Sequence, residues 1–222
     1  MEPYNVKIIS IEQITHDVLQ IQTGKPAGYA FTPGQATEVA INKEKWISAK
    51  RPFSFTNLPD DDYLEFIIKT YPHHSGVTNE LLSLKKGDEF IIHDPWGAIH
   101  FKGKGVFIAG GAGITPFISI FRDLVSKKQI GENQLIYGNK TRKDIIQELW
   151  LKKLFGPAMI NVLSEEIRTG YHHGFISTGF LQRTLLSYHH KYYVCGPPPM
   201  TASVLQSLHM LGISENVVVT EV

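Results

Sequence analysis

The spacing of apolar residues changes period near residue 100, and that change bounds what the chain can fold into. Before it, apolar side chains recur at every second position. Leu19 and Ile21 alternate with Gln20 and Gln22, and Leu64, Phe66 and Ile68 alternate with Tyr63, Glu65 and Ile67. Pro33-Gly34, Pro59-Asp60-Asp61-Asp62 and Gly87-Asp88 break these runs. Period two punctuated by turn residues predicts antiparallel sheet or barrel, with one short helix over 77–84 after Gly76. From about Gly105 the pattern differs. Strand-sized apolar runs at 105–109, 134–138, 158–163, 191–195 and 216–220 alternate with helical patterns near 117–128, 144–154, 178–187 and 199–211. That alternation predicts a parallel sheet covered on both faces. The expected fold is therefore an antiparallel Greek-key β-barrel over residues 1–102 followed by a doubly wound α/β domain over 103–222. The join at Phe101-Lys102-Gly103-Lys104 is short, so the halves are expected to pack with a cleft between them.

Composition excludes several classes of function. With 222 residues, 42% hydrophobic and 19% charged, the chain has ordinary globular composition and enough length to bury a core. A formal net charge of +1 gives no strong pull on nucleic acid or anionic membrane. The longest apolar stretches are strand-sized, and Met1-Glu2-Pro3 opens no signal peptide. The expectation is a cytoplasmic protein with no nucleic-acid or membrane partner. Cys195 is the one cysteine, so the chain can form neither an internal disulfide nor a cysteine-ligated iron–sulfur cluster or zinc knuckle. His73-His74, His172-His173 and His189-His190 are adjacent pairs without the i, i+4 spacing of a helical two-histidine clip, and no metal site is expected.

Chemistry is carried by four short segments. Residues 105–116, Gly-Val-Phe-Ile-Ala-Gly-Gly-Ala-Gly-Ile-Thr-Pro, run from an apolar strand through a glycine turn into a helix. The apolar face of that helix is Phe117, Ile120, Phe121, Leu124 and Val125. Strand, glycine turn and helix start together present bare N–H groups to an anionic ligand, and Pro116 suits a first helical turn. Many parallel-sheet proteins carry such a crossover without a nucleotide. In the barrel half, Arg51-Pro52-Phe53-Ser54 could pair a phosphate, flank a flat ring and hydrogen-bond its edge. Taken alone, the tetrapeptide is better read as an arginine in a surface salt bridge beside a buried Phe53. Ser75-Gly76-Val77-Thr78 is a second candidate phosphate cradle, or an ordinary cap by Ser75 or Thr78. Tyr193-Val194-Cys195-Gly196-Pro197-Pro198-Pro199-Met200 ends a strand in a stiff turn, which puts Cys195 at the carboxyl edge of the sheet with Gly110 to Thr115.

In this order the segments resemble one family, the ferredoxin–NADP⁺ reductase-like flavoproteins, and within it the small bacterial flavodoxin or ferredoxin reductases. The resemblance spans nearly the whole chain. The family's flavin motif, Arg-x-Tyr/Phe-Ser, stands as Arg51-Pro52-Phe53-Ser54. Its flavin pyrophosphate element stands as Gly76-Val77-Thr78, with Ile67-Ile68-Lys69 on the preceding strand. The barrel-closing turn is Asp94-Pro95-Trp96-Gly97, its usual first glycine replaced. The nicotinamide-nucleotide turn is Gly110-Gly111-Ala112-Gly113-Ile114-Thr115-Pro116, and Cys195-Gly196-Pro197-Pro198-Pro199-Met200 matches residue for residue. Two departures stand out: Phe53 replaces a common tyrosine, and the chain ends Thr220-Glu221-Val222 where relatives often end Glu-x-aromatic.

The resemblance implies bound FAD, with FMN as the alternative, and NAD(P)H as co-substrate. It implies hydride transfer to the flavin and single electrons leaving to a separate flavodoxin or ferredoxin. Arg51 would pair flavin phosphates and Ser54 would hydrogen-bond near the reacting nitrogen. Thr115 and Cys195 would hold the nicotinamide, the glycines 111–113 and Gly196 would admit the nucleotide, and Glu221 would tune or relay a proton. Pro116, Pro197, Met200, Gly138, Asn139 and Arg142 join the expected nucleotide site. Lys43, Lys45, Lys50, Lys85 and Lys86 could dock an acidic partner or be plain solvated surface. Coenzyme choice falls to the loop at 139–143. Asn139-Lys140-Thr141 followed by Asp144-Ile145-Ile146 looks like NADH-using relatives, and Arg142 and Lys143 argue for NADPH; the reading leans to NADH. A free flavin reductase and a non-catalytic electron-transfer subunit are the competing functions.

Overall fold

A computed structural model describes residues 2–185 and 191–220. The chain divides into two compact units, Met1–His100 with Thr115–Asp123, and Phe101–Ile114 with Leu124–Val222.

The first unit is the expected barrel. Its strands are β1 (Tyr4–Thr15), β2 (Val18–Gly24), β3 (Ala36–Ile41), β4 (Arg51–Ser54), β5 (Tyr63–Lys69) and β6 (Glu89–Ile92). They lie in the order β4-β3-β6-β1-β2-β5, every neighbouring pair antiparallel. The two ends of that order meet through an antiparallel bridge between Phe55 and Phe66. Beside it the Thr56 N–H donates to the Glu65 carbonyl at 2.9 Å, which closes the sheet on itself. Ile8, Ile21, Val39, Ile41, Phe66, Phe90 and Ile92 fill the interior, and Phe31 stacks on Phe55 at 4.2 Å.

The helix expected over 77–84 is one α-turn, α1 (Val77–Glu80), tightening into a 3₁₀ turn at Leu81–Ser83. Val77 and Leu81 anchor both pieces in the core. Most of helix α2 (Thr115–Ser126) groups with this unit. There the Ser119 hydroxyl donates to the Asn57 carbonyl at 2.8 Å. Arg122 Nη1 donates to the Thr56 carbonyl and to Glu65 Oε1, each at 2.7 Å. Glu65 occupies a polar position in the β5 alternation, yet it is 2% exposed. Its remaining acceptor sites are filled by Thr56 Oγ1, Gln20 Nε2 and Gln22 Nε2.

The second unit holds the six strands β7 (Gly105–Gly110), β8 (Gln134–Asn139), β9 (Met159–Leu163), β10 (His172–His173), β11 (Lys191–Cys195) and β12 (Val218–Thr220). All neighbouring pairs are parallel, in the order β10-β9-β8-β7-β11-β12. Helices α3 (Glu148–Phe155), α4 (Thr178–Thr184) and α5 (Pro198–Met210) alternate with the strands. One core packs Val106, Ile108, Ile136 and Val194 against Phe180, Leu181, Val204 and Leu208. Tyr193 ties β11 to the start of the unit. Its ring stacks on Phe107 at 4.2 Å, its hydroxyl donates to the Gly103 carbonyl at 2.7 Å, and burial pushes its pKa up to about 12.

Two features differ from expectation, and a few expectations fall on residues that are not described. Helix α3 starts at Glu148 rather than near 144, because Thr141 and Asp144 form a capping box around a separate 3₁₀ turn and Gln147 turns left-handed at φ +53°. Strand β10 is two exposed histidines paired with Val162 and Leu163, too short for any pattern to reveal. The far end of the helix expected over 178–187, the His189-His190 pair and Glu221 lie outside the described residues. No helix among the described residues is long and apolar enough to cross a membrane.

Candidate functional site

In the parallel sheet the strand order reverses between β7 and β11, and a ligand crevice of an open α/β sheet forms at the carboxyl ends of such strands. β7 ends at Gly110, and the chain makes a 3₁₀ turn over Gly111–Ile114 before Thr115 and Pro116 open α2. The registration of Cys195 with Ala109 sets Gly196 beside this turn.

Each glycine here has a different reason. A Cβ on Gly113 would lie 2.3 Å from the Cys195 carbonyl oxygen and 2.6 Å from the Gly196 nitrogen. On Gly110 it would meet the Met200 sulfur at 2.2 Å, and on Gly196 the same sulfur at 2.7 Å. Met200, in the first turn of α5, therefore packs over both glycines and clamps the two strand ends together. Gly111 is the opposite case: it sits at φ +51°, where a side chain would strain the backbone, with nothing within 4 Å of its Cβ position. The turn is held from below by Tyr137 on β8, whose buried hydroxyl donates to the Gly111 carbonyl at 2.9 Å. Burial raises the Tyr137 phenol far above its ordinary pKa, so it stays a neutral donor. Cys195 is 5% exposed and Thr115 8% exposed.

One strand over, Gly138 and Asn139 end β8. The side-chain nitrogen and oxygen of Asn139 are both buried without a hydrogen-bond partner. An unpaired buried amide at a strand's carboxyl end offers a donor and an acceptor to a ligand hydroxyl. Past Asn139, a cleft of about 500 Å³ is lined by Thr141, Arg142, Lys143, Glu148, Glu165, Glu166 and Arg168. Sequence reading found the 139–143 loop but none of the facing acids, which come from α3 and the segment after β9.

Arg142, Arg168 and the three glutamates of that cleft are paired. Arg142 Nε donates to Glu148 Oε2 at 3.0 Å, and the Arg142 backbone N–H donates to Glu166 Oε2 at 2.8 Å. Glu148 also accepts from Lys152, at 2.7 Å, and from the Tyr171 hydroxyl. Burial works to raise the Glu148 carboxyl, but the hydrogen bonds from Lys152, Tyr171 and Arg142 outweigh it and hold it below the usual range. The Arg142 guanidinium is raised, first by its hydrogen bond to Glu148.

In the barrel unit, β4 carries the second set. Arg51 and Pro52 are exposed, while Phe53 and Ser54 are half-buried. Phe53 packs on the barrel core, and Arg51 Nη1 donates to the Lys50 carbonyl at 2.7 Å. Ile67 and Ile68 are buried on β5, and Lys69 pairs with Asp17 at 2.8 Å. Gly76 caps α1 with extended backbone and no side-chain cap, so neither Ser75 nor Thr78 acts as the cap. A Cβ at Gly76 would meet nothing within 4 Å, leaving the start of Val77–Thr78 open. Both sets fit their expected groups: an exposed guanidinium and an uncapped glycine for a flavin diphosphate, an open glycine turn and an orphaned amide for a dinucleotide. Of the lysines, Lys43 pairs with Glu80 at 3.1 Å and Lys45 lies 4.8 Å from the Trp46 ring centre.

Two known domain families match the chain in succession. Residues 3–101 match the FAD-binding domain, and residues 107–206 the oxidoreductase NAD-binding domain. The reductase component of propane 2-monooxygenase from Rhodococcus jostii is 28% identical, over 96% of this chain and 61% of its own length. The ferredoxin–NAD(P)(+) reductase component of a Pseudomonas putida naphthalene 1,2-dioxygenase system is 26% identical, over 93% of this chain and 65% of its own. The chain thus spans under two thirds of these curated relatives. A ferredoxin NADP⁺ reductase from Neisseria gonorrhoeae, solved with FAD and NADP, has the same fold: its TM-score is 0.86 at 18% identity, over 100% of this chain and 98% of that one. The chain thus joins an FAD-binding domain to an oxidoreductase NAD-binding domain, in the fold of a ferredoxin NADP⁺ reductase.

Proposed function

We propose that the protein is an NAD(P)H-dependent flavoprotein reductase that passes electrons singly to a separate redox partner in the cytoplasm. The observation that carries this is the glycine turn at the β7/β11 reversal, open at Gly111 and closed on Cys195 at Gly113, in one chain with an FAD-binding barrel. Bound FAD supplies the conversion of a hydride into single electrons. Everything else is the task of this chain's residues.

Arg51 offers a charge-assisted bond to flavin phosphate, and the Gly76–Thr78 turn offers N–H groups to the same diphosphate. Ser54, on the opposite face of β4 from Arg51 and Phe53, would donate its hydroxyl to the flavin edge where negative charge develops. Gly110, Gly111, Gly113 and Gly196 let the coenzyme approach bare backbone, Thr115, Pro116, Cys195 and Pro197 border it, and Met200 keeps the two turns in contact. Asn139 would meet the ribose with its side-chain amide.

A flavodoxin or ferredoxin remains the proposed acceptor, since the single cysteine leaves no cluster within this chain to relay electrons. The relatives named above are reductase components of oxygenase systems, so an oxygenase's own carrier falls within the same class of partner.

Purified protein is expected to be yellow and to bleach under nitrogen on adding reduced nicotinamide. A colourless protein that oxidises NAD(P)H only with added flavin would make it a free flavin reductase. Arg51→Ala is expected to loosen FAD by roughly tenfold to a hundredfold, the equivalent of about 1.5–3 kcal/mol for a charge-assisted bond, read by flavin fluorescence on dilution. Ser54→Ala should retain FAD yet slow its reduction in stopped-flow traces. An unchanged rate would remove Ser54 from the chemistry.

A further inference from the structure

The paired charges beyond Asn139 bear on which adenosine ribose the cleft accepts. In a dinucleotide-binding sheet the end of the second strand faces the ribose; an arginine there takes a 2′-phosphate, and an acidic or neutral group takes a 2′-hydroxyl. The second strand of this sheet in chain order is β8, and its end carries Asn139, with Arg142 three residues on. By residue type alone Arg142 could clamp a phosphate. The structure gives that arginine another partner: Glu148, whose side chain is 11% exposed, holds it by the Nε–Oε2 bond at 3.0 Å. Glu148 is itself fixed by Lys152 and Tyr171, so it does not swing away with the arginine. Two neighbouring cations are occupied as well, and Lys143 is the remaining cation of the lining. Arg168 pairs with Glu166 at 3.1 Å and Lys140 with Glu165 at 3.0 Å. A 2′-phosphate entering the cleft would meet the Glu165 and Glu166 carboxylates and would have to take Arg142 from Glu148. A 2′-hydroxyl needs neither, because it can donate to a carboxylate and accept from the Asn139 amide.

We infer that Glu148 is a positioning residue for coenzyme choice: by engaging Arg142 it leaves the cleft selective for an adenosine ribose with a free 2′-hydroxyl, that is, for NADH over NADPH. This rests on the reading of the β8 end as the ribose site.

Binding of two adenosine fragments, independent of flavin and turnover, tests it. The full chain is titrated calorimetrically with 5′-AMP and with adenosine 2′,5′-bisphosphate at fixed ionic strength. The native protein is expected to bind 5′-AMP more tightly. Glu148→Gln, which removes one charge and releases Arg142, should raise the bisphosphate-to-monophosphate affinity ratio about tenfold. In turnover the same variant should raise kcat/KM for NADPH through KM rather than kcat. The double variant Glu148→Gln/Arg142→Ala should lose that gain. Should Glu148→Gln fail to fold, Glu166→Gln tests the same electrostatics by removing a repelling carboxylate, and it should raise the ratio severalfold. General destabilisation would move both affinities together, so an unchanged ratio in folded Glu148→Gln or Glu166→Gln overturns the inference. A native preference for the bisphosphate overturns it as well. If the native protein binds neither fragment, the ribose-site reading falls and takes the inference with it; if it binds both equally, only the inference falls.

Discussion

Replacing Arg122 by leucine is expected to lower the unfolding free energy by about 3 kcal/mol, read as a lower denaturant midpoint at unchanged slope. Glu65 is almost wholly buried, and Arg122 is its counter-charge. The guanidinium also closes the Thr56 carbonyl at 2.7 Å. The leucine variant would leave a carboxylate out of water with only neutral donors, Thr56, Gln20 and Gln22, to compensate it. The loss sits at the lower end of the range for broken buried pairs because the Arg122 side chain retains 26% exposure. Adding Glu65→Gln to the variant should recover part of the loss, since an amide needs no counter-charge. A single-variant cost below about 1 kcal/mol would place this pair with ordinary surface salt bridges.

That pair also marks where the sequence stops being legible. Period-two alternation identified β2 and β5 correctly, because alternation is a local consequence of the pleat. It says nothing about what covers the second face. Glu65 is buried because residues of α2, some sixty positions later, supply Arg122 and Ser119 to this unit. The parallel strands were legible for the complementary reason: β7 is buried along its whole length and reads as one apolar run. Strand β10 has no such signature, being two exposed histidines placed by their neighbour β9.

The candidate site divides the same way. Its glycines, Cys195 and Met200 are contiguous in short motifs and could be picked out by their letters. Which contact each one makes could not be. Met200 reads as a site residue, and the structure shows its sulfur packed over Gly110 and Gly196. Arg142 read as a cation within reach of a 2′-phosphate. It lies in a capped 3₁₀ turn before the helix, tied to Glu148 six residues on and Glu166 twenty-four residues on. Spacing along the chain carries no trace of the second partner, because β9 and its following turn return it to the loop.

Gly113→Ala should be the most damaging small substitution in the nucleotide turn. The usual argument for glycine, a left-handed backbone, applies to Gly111 and not here; Gly113 is required by close approach. Its Cβ would stand 2.3, 2.5 and 2.6 Å from the Cys195 oxygen, the Cys195 carbonyl carbon and the Gly196 nitrogen. All three are backbone atoms of the turn leaving β11, so no side-chain rotation relieves the clash. The two turns must separate by roughly an ångström to reach ordinary contact. That movement also lifts Gly110 and Gly196 from Met200 and strains the Tyr137 bond to the Gly111 carbonyl. Overpacking of this kind costs about 3 kcal/mol where the neighbours cannot yield. Half of the consequence should be functional: 5′-AMP and NADH affinity should fall at least tenfold while FAD bound to the barrel unit is retained. Gly111→Ala should cost less stability, since it strains a left-handed backbone but meets no neighbouring protein atom. A folded Gly113→Ala protein with native NADH affinity would show that the β7 and β11 turns need not touch for the coenzyme to bind.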